Sequence, residues 1–204
     1  VYHTINHFCT VDLSSHYIDA TKDRLYCDAA GSVRRRSTQA TMVTVFETLT
    51  RLLAPILVFT AEEAWGYYRP ESSVHLELFP EVAPLDEELL KRYEKLFALR
   101  GHIAQALEQA QRDGLISNLL EAHVFVTTKD ADILKSTATP EALAEVEELF
   151  ILSHLEVLEG PEQIRVEKQN AQKCERCWRH RDDVGQHVDH PTLCGRCASV
   201  VTQR

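Results

Sequence analysis

Four cysteines fall in two matched pairs, Cys174-Glu175-Arg176-Cys177 and Cys194-Gly195-Arg196-Cys197, with sixteen residues between them. Each Cys-x-x-Cys pair presents two sulfurs to one side of an ion, and the intervening loop is long enough to fold the second pair across from the first. Four thiolates make a closed tetrahedral donor set. That set suits a structural Zn²⁺, which is borderline-soft and in a folding role needs no open coordination position. Iron held by four thiolates uses the same ligands. Redox dithiols share the dipeptide spacing but usually come as one pair beside a βαβ pattern. His180, His187 and His190 lie in the loop and could each replace a thiolate, yet with four cysteines already present they read as surface residues. A module this short buries too little to fold alone. Metal binding therefore supplies its folding free energy, on the order of 10–16 kcal/mol in zinc-finger peptides.

Aromatic and basic side chains surround these ligands. Trp178 follows the second cysteine, with Arg176, Arg179, Arg181 and Arg196 close by in sequence. An exposed indole beside guanidinium planes is what single-stranded bases stack on, and Arg also reaches phosphate. The competing reading packs Trp178 over the metal as a miniature core, and both can hold at once. A second basic cluster, Arg34-Arg35-Arg36, covers nearly a full helical turn, so its members cannot all face one surface. One or two could contact phosphate through the planar donor fork of Arg; the alternative is pairing with Asp23, Asp28 or nearby carboxylates at a bundle end. His3 and His7 share a helix face but lack a third ligand-type partner, and read as structural.

The elements that must carry these groups are mostly helical. The 204 residues, 44% hydrophobic, can bury a core and hold more than one unit. The longest apolar run, residues 52–59, is too short for a bilayer and contains Pro55. Cys9 and Cys27, the two cysteines outside the pairs, indicate a reducing, cytoplasmic setting without a disulfide framework. The chain begins at Val1 inside a helical pattern, with no signal peptide legible there, and is expected to be a fragment of something longer. Its net charge is −9, unevenly placed: residues 1–70 are neutral, 71–169 carry −11 and 170–204 carry +2. A polyanion would have to be met by the ends.

Along the chain, residues 1–70 read as an antiparallel helical bundle. Ile5, Phe8 and Cys9 give one apolar face, and Thr10-Val11-Asp12 is expected to cap a new helix carrying Leu13, Tyr17, Ile18 and Leu25. Gly31-Ser32 breaks the pattern; a helix with Val43, Phe46, Leu49 and Leu53 follows, disturbed at Pro55. Thr60 and Glu63 have capping-box spacing for a fourth helix through Trp65. Residues 71–114 form a Pro-containing connector, extended around Val74–Phe79, and then one long helix. Its seam of Leu89, Tyr93, Leu96, Arg100, Ile103, Leu107 and Ala110 should pair Arg100 with a carboxylate, and Gly114 should end it. Residues 115–169 read as a small α/β unit: strands at 123–128, 155–158 and 164–167, and a helix opened by Thr139-Pro140. Residues 170–204 are the Cys₄ zinc finger. The fold class is mainly α, a helical bundle followed by a small α/β unit and the finger.

Several stretches resemble the anticodon-binding region of bacterial-type isoleucyl-tRNA synthetases: Phe8-Cys9-Thr10-Val11-Asp12-Leu13-Ser14-Ser15, Lys22-Asp23-Arg24-Leu25-Tyr26-Cys27-Asp28, residues 52–65 and Ser73-Val74-His75-Leu76. The cysteines, with Trp178 after the first pair, resemble the C-terminal zinc finger of that family. Leucyl and valyl relatives share the 54–65 motif, and the finger separates the isoleucine enzymes from them. The stretch Ile116–Ala122 departs from the family's usual Ile-Gly-x-Ser-Leu-Glu-Ala. The resemblance implies part of a class I ligase that joins isoleucine to its tRNA using ATP and Mg²⁺ in a catalytic domain, with a separate editing domain. No His-Ile-Gly-His-like or Lys-Met-Ser-Lys-Ser-like sequence lies in this chain, so no catalytic residue is carried over. It implies one structural Zn²⁺ on Cys174, Cys177, Cys194 and Cys197, the anticodon stem-loop of tRNA(Ile) and the remaining synthetase domains as partners, no membrane, and a monomer. Arg34, Arg35, Arg36, Arg176, Trp178, Arg179 and Arg196 are the candidate RNA contacts. The rivals are a zinc-finger module of a formamidopyrimidine-type DNA glycosylase and a structural zinc-capped interaction domain.

Overall fold

A computed structural model of the chain describes residues 1–203. The elements run α1 (Tyr2–His7), a π-helical stretch (Phe8–Ile18), α2 (Asp19–Cys27), α3 (Val33–Leu53), α4 (Val58–Tyr68), α5 (Glu87–Arg112), β1 (Ala122–Thr128), α6 (Ala131–Ser136), α7 (Pro140–Phe150), β2 (His154–Glu159), β3 (Gln163–Lys168) and α8 (Gly195–Thr202). Two compact units result: Ala29–Leu85 is one, and Val1–Asp28 with Asp86–Arg204 the other. No described helix is long and apolar enough to cross a membrane.

In the smaller unit, α3 opens on Ser32, whose side chain accepts from the Arg35 N–H. The helix stops before Pro55, which cannot donate to the ladder. Two tight bonds to the Leu53 carbonyl, from Ile56 and Leu57, then restart helical geometry at Val58. For that reason Thr60 lies inside α4 rather than capping it, a correction to the capping-box expectation. The neighbouring carboxylate of Glu62 instead accepts from Ser73 Oγ (2.8 Å) and Val74 N (3.0 Å). This bond curls Val74–Leu76 into a single 3₁₀ turn where an extended segment was expected. Val74 is thereby buried with Ala54, Ala61 and Trp65, whose indole N–H donates to Ser72 Oγ at 3.0 Å.

In the larger unit the first 27 residues do not break at Thr10. Thr10 Oγ1 bonds back to the Asn6 carbonyl at 2.8 Å, and Ser15 Oγ to the carbonyl of Thr10, five residues earlier. The hydroxyls are spent inside a widened helix and leave no cap. Asp86 caps α5 by accepting from Leu89 N, and Gly114 leaves it in the left-handed region at φ +74°. Leu96, Leu99, Ile103, Leu107 and Ala110 of α5 are buried. Arg100 in that seam donates to the Ser15 carbonyl (3.2 Å) and lies 3.8 Å from Asp19, as expected of a paired cation.

The sheet has the order β2-β1-β3, with β1–β2 parallel and β1–β3 antiparallel. Alternation along β1 sends Ala122, Val124 and Val126 into the core with Ile133, Val146, Phe150, Leu152 and Leu155. Thr139 and Pro140 start α7 as read from sequence, and Thr139 Oγ1 accepts from Ala142 N at 3.2 Å. A two-point bond from Arg24 to the buried carboxylate of Glu148 (2.8 and 2.7 Å) ties α2 to α7. The helical body, small α/β unit and four-cysteine tip agree with the fold class expected from sequence.

Candidate metal centre

Both Cys-x-x-Cys pairs are shaped by their own backbones. Trp178 N–H donates to the Cys174 carbonyl and Ala198 N–H to the Cys194 carbonyl, each at 2.9 Å, so each pair turns its two sulfurs to one side. A bridge between Lys173 and His180 closes the first turn. The second pair opens α8, with Gly195 closely packed against the loop there. Its N–H donates to Asp183 Oδ2 at 2.7 Å, and a Cβ would stand 2.8 Å from that oxygen and 3.1 Å from the His187 ring.

The four Sγ atoms all lie within 4.8 Å of one another. Cys174, Cys194 and Cys197 are buried and Cys177 is half-buried. Cys177 and Cys194 sulfurs are 3.8 Å apart, far beyond a disulfide bond. A tetrahedron with Zn–S bonds of about 2.3 Å has edges of about 3.8 Å. The donors therefore fit one Zn²⁺. Hydrogen bonds from Cys194 and Cys197 hold Cys177 far below the usual thiol range, and the same bonds to Cys177 push Cys194 and Cys197 up. Among the described residues no loop histidine joins the cluster; His180 Nδ1 is 2.8 Å from the Ala171 carbonyl.

The tip is fastened to the rest of its unit by named bonds. Arg196 forms a two-point bond to Asp23 on α2, and also reaches Asp28. Burial works against both charges, but the paired hydrogen bonds and mutual attraction outweigh it, lowering the Asp23 pKa and raising that of Arg196. Arg176 donates to the carbonyls of Tyr26 (3.1 Å) and Cys27 at the α2 C-terminus, where orphan acceptors need a partner. Ser153 Oγ accepts from His180 N at 2.9 Å, and Arg181 lies 3.3 Å from Glu147. Arg179 is buried, which lowers its pKa.

Trp178 differs from its neighbours. It is 62% exposed and sits at φ +66°, a left-handed conformation rare for a bulky residue. The covering role weighed for it is not seen, and Lys173 Nζ stands 5.5 Å from its ring centre. Arg34, Arg35 and Arg36 lie on the first turn of α3, in the smaller unit; Arg34 and Arg36 are exposed.

Cys27, outside the two cysteine pairs, is buried against the finger. Its Sγ lies 3.7 Å from the Arg176 carbonyl, and a hydrogen bond with Cys197 lowers its pKa. Asp23, Asp28, Ser153 and Glu147 were not read as parts of the site. The acidic signal was legible in Lys22-Asp23-Arg24, but a contact spanning 173 positions has no local sequence mark.

Comparison with known proteins gives two family matches. Residues 1–126 match the family described as the anticodon-binding domain of tRNA ligase. Residues 171–200 match the zinc finger found in FPG and IleRS. Curated relatives named isoleucine–tRNA ligase include those of Methylacidiphilum infernorum (42% identical over 98% of this chain and 22% of the relative), Moorella thermoacetica (40%, 100% and 24%) and Brachyspira hyodysenteriae (39%, 98% and 23%). The chain thus spans under a quarter of the length of these relatives. Since the first match takes in well over half of the 204 residues, the chain belongs to the family of anticodon-binding domains of tRNA ligases.

Proposed function

We propose that this chain is the tRNA-holding part of an isoleucine–tRNA ligase, that its tip carries one structural Zn²⁺, and that it grips the anticodon stem-loop of tRNA(Ile). The observation that carries the reading is Trp178: an exposed indole on the turn of the first cysteine pair, in a tip bonded to α2 through Arg176 and Arg196. A groove of ≈ 960 Å³ runs beside it, lined also by Lys22, Tyr26, Arg100, Gln111 and Asn118. A rigid aromatic plane next to a mainly apolar groove with basic and polar side chains among its lining is a stacking platform for an unpaired base. In this reading Trp178 stacks on RNA and Arg34, Arg35 and Arg36 take phosphates. Arg176, Arg179 and Arg196 serve RNA binding by fixing where the indole stands, because their side chains are engaged or buried.

ATP and Mg²⁺ are used by the catalytic part of the ligase, where isoleucine joins the tRNA end; this chain's share is to hold the far end of the tRNA in place. The protein works in the cytoplasm as a monomer. The test is a titration of the zinc-loaded chain with tRNA(Ile) and with duplex DNA at several salt concentrations. Trp178→Ala is expected to weaken tRNA binding by about 1–3 kcal/mol, the scale of one stacked base. Arg36→Ala is expected to reduce the salt dependence as one phosphate contact is lost. Equal binding by wild type and Trp178→Ala would remove the indole from the interface. Preference for duplex DNA would favour the glycosylase reading, and no nucleic-acid binding a purely structural module.

A further inference from the structure

We propose that the outer face of the three-stranded sheet holds a second divalent-cation site, formed by His123, His154 and Glu156 and suited to Zn²⁺. The parallel register sets His123 on β1 directly beside His154 on β2. Glu156, two residues further along β2, projects from the same face because side chains alternate along a strand. One ligand atom from each of the three lies within 4.8 Å of the other two. His123 Nε2 is 3.0 Å and His154 Nε2 3.9 Å from the same Glu156 oxygen. A tetrahedral ion with bonds of about 2.0–2.2 Å keeps its donors about 3.4 Å apart, between these two values.

Two further features point to a ligand. His123 Nε2 is buried and meets the Glu156 carboxylate at 3.0 Å without completing a well-formed hydrogen bond among the described residues. A buried ring nitrogen left so is costly unless something else engages it. The rings are also held in place. His123 stacks on Phe125 at 4.0 Å, and Arg165 covers the other ring at 4.1 Å. The His154 ring lies between two carboxylates, with Nδ1 3.8 Å from Glu147 and Nε2 3.9 Å from Glu156. Two imidazoles and one carboxylate select a borderline cation over Mg²⁺ or Ca²⁺, which prefer oxygen. With three protein ligands, the fourth position faces solvent, and the ion clamps β1 to β2.

The test uses the untagged chain with its finger already loaded with one Zn²⁺, dialysed against micromolar Zn²⁺. Wild type is expected to bind two ions per chain. His123→Asn and His154→Asn are each expected to weaken the second ion at least tenfold while keeping the first and an unchanged far-ultraviolet spectrum. A wild type that stops at one ion overturns the proposal, as does a second ion that survives both substitutions. Because the variants alter a strand, wild type alone supplies a second measurement by histidine ring NMR. The second equivalent must move the resonances of His123 and His154 among the ten histidines. Movement confined to other histidines also overturns it.

Discussion

Arg196, between the last two cysteines, and Asp23, on the second helix, are joined by two nearly parallel hydrogen bonds, Nη1 to Oδ2 at 2.6 Å and Nη2 to Oδ1 at 2.9 Å. The pair links the metal-binding tip to the helical body across almost the whole sequence. Its geometry uses the planar fork that Arg has and Lys lacks. Arg196→Lys should therefore behave more like a loss than a conservative change. Removing one partner of a buried pair costs about 3–5 kcal/mol, and with the Arg196 side chain 33% exposed about 1–3 kcal/mol is expected here after solvent screening. Hydrogen exchange on the zinc-loaded protein checks this: α8 and the end of α2 should open faster in Arg196→Lys and Asp23→Asn, with zinc content unchanged. Protection equal to wild type would show that the other bonds suffice to hold the tip.

Metal removal should act locally. The small cluster of Cys174, Val184, Cys194 and Cys197, with Cys177 and Leu193 against it, is too little apolar area to hold residues 173–200 without an ion. The larger cluster around β1, α5 and α7 shares no member with it. A strong chelator is expected to erase exchange protection in α8 and around Trp178 and to leave the β1 and α5 amides protected. Cooperative loss of both regions would mean that the tip is a structural part of the main core.

What could be read from the sequence was local in origin. The two cysteine pairs fix their own turns, and Thr139-Pro140 and Gly114 mark helix ends by backbone chemistry within a few residues. The strand positions also stood out, because residues 123–128 are rich in Val, Thr and Phe. Thr10 misled because a hydroxyl serves equally well as a cap or as a donor to a carbonyl inside a helix, and Thr60 because the chain restarts its helix two residues earlier, at Val58. The bonds that seat the finger were hidden for another reason. Asp23 to Arg196 and Ser153 to His180 are set by tertiary packing, and neither residue type announces its distant partner.

Asp130 gives a pH-dependent prediction outside the tip. Its carboxylate caps α6, accepting from Asp132 N at 2.9 Å and Ile133 N at 3.3 Å, and it receives a bond from Lys95 on α5. The Lys95 bond is the largest influence, burial opposes it, and the bond together with the backbone N–H groups holds the pKa below 3.8. A lowered folded-state pKa stabilises the protein above the unfolded value, and that contribution fades as pH falls through the folded one. Asp130→Ala should cost about 1 kcal/mol at neutral pH, the usual value of a lost cap. Asp130→Asn, which can still cap, should cost less. Denaturant titrations should show the gap between wild type and Asp130→Asn closing below about pH 4 as Asp130 is protonated. A gap independent of pH would show that its charge contributes nothing.

Trp178 sets backbone comfort against presentation of its ring. At φ +66° a residue with a Cβ pays about 1–2 kcal/mol in the left-handed region. Glycine pays nothing there but loses about 0.5–1 kcal/mol more chain entropy on folding. Trp178→Gly should therefore leave the finger as stable as wild type or up to about 1 kcal/mol more so, since the exposed indole gives up little packing. Trp178→Val should be the least stable of the three, because a β-branched side chain is a worse occupant of this region than a flat ring. Competition with a zinc chelator ranks them: the finger should retain its ion in the order Gly, Trp, Val, while tRNA binding falls in both variants. If glycine instead weakens zinc retention, the indole is part of the folded tip, and its exposure is not there for RNA.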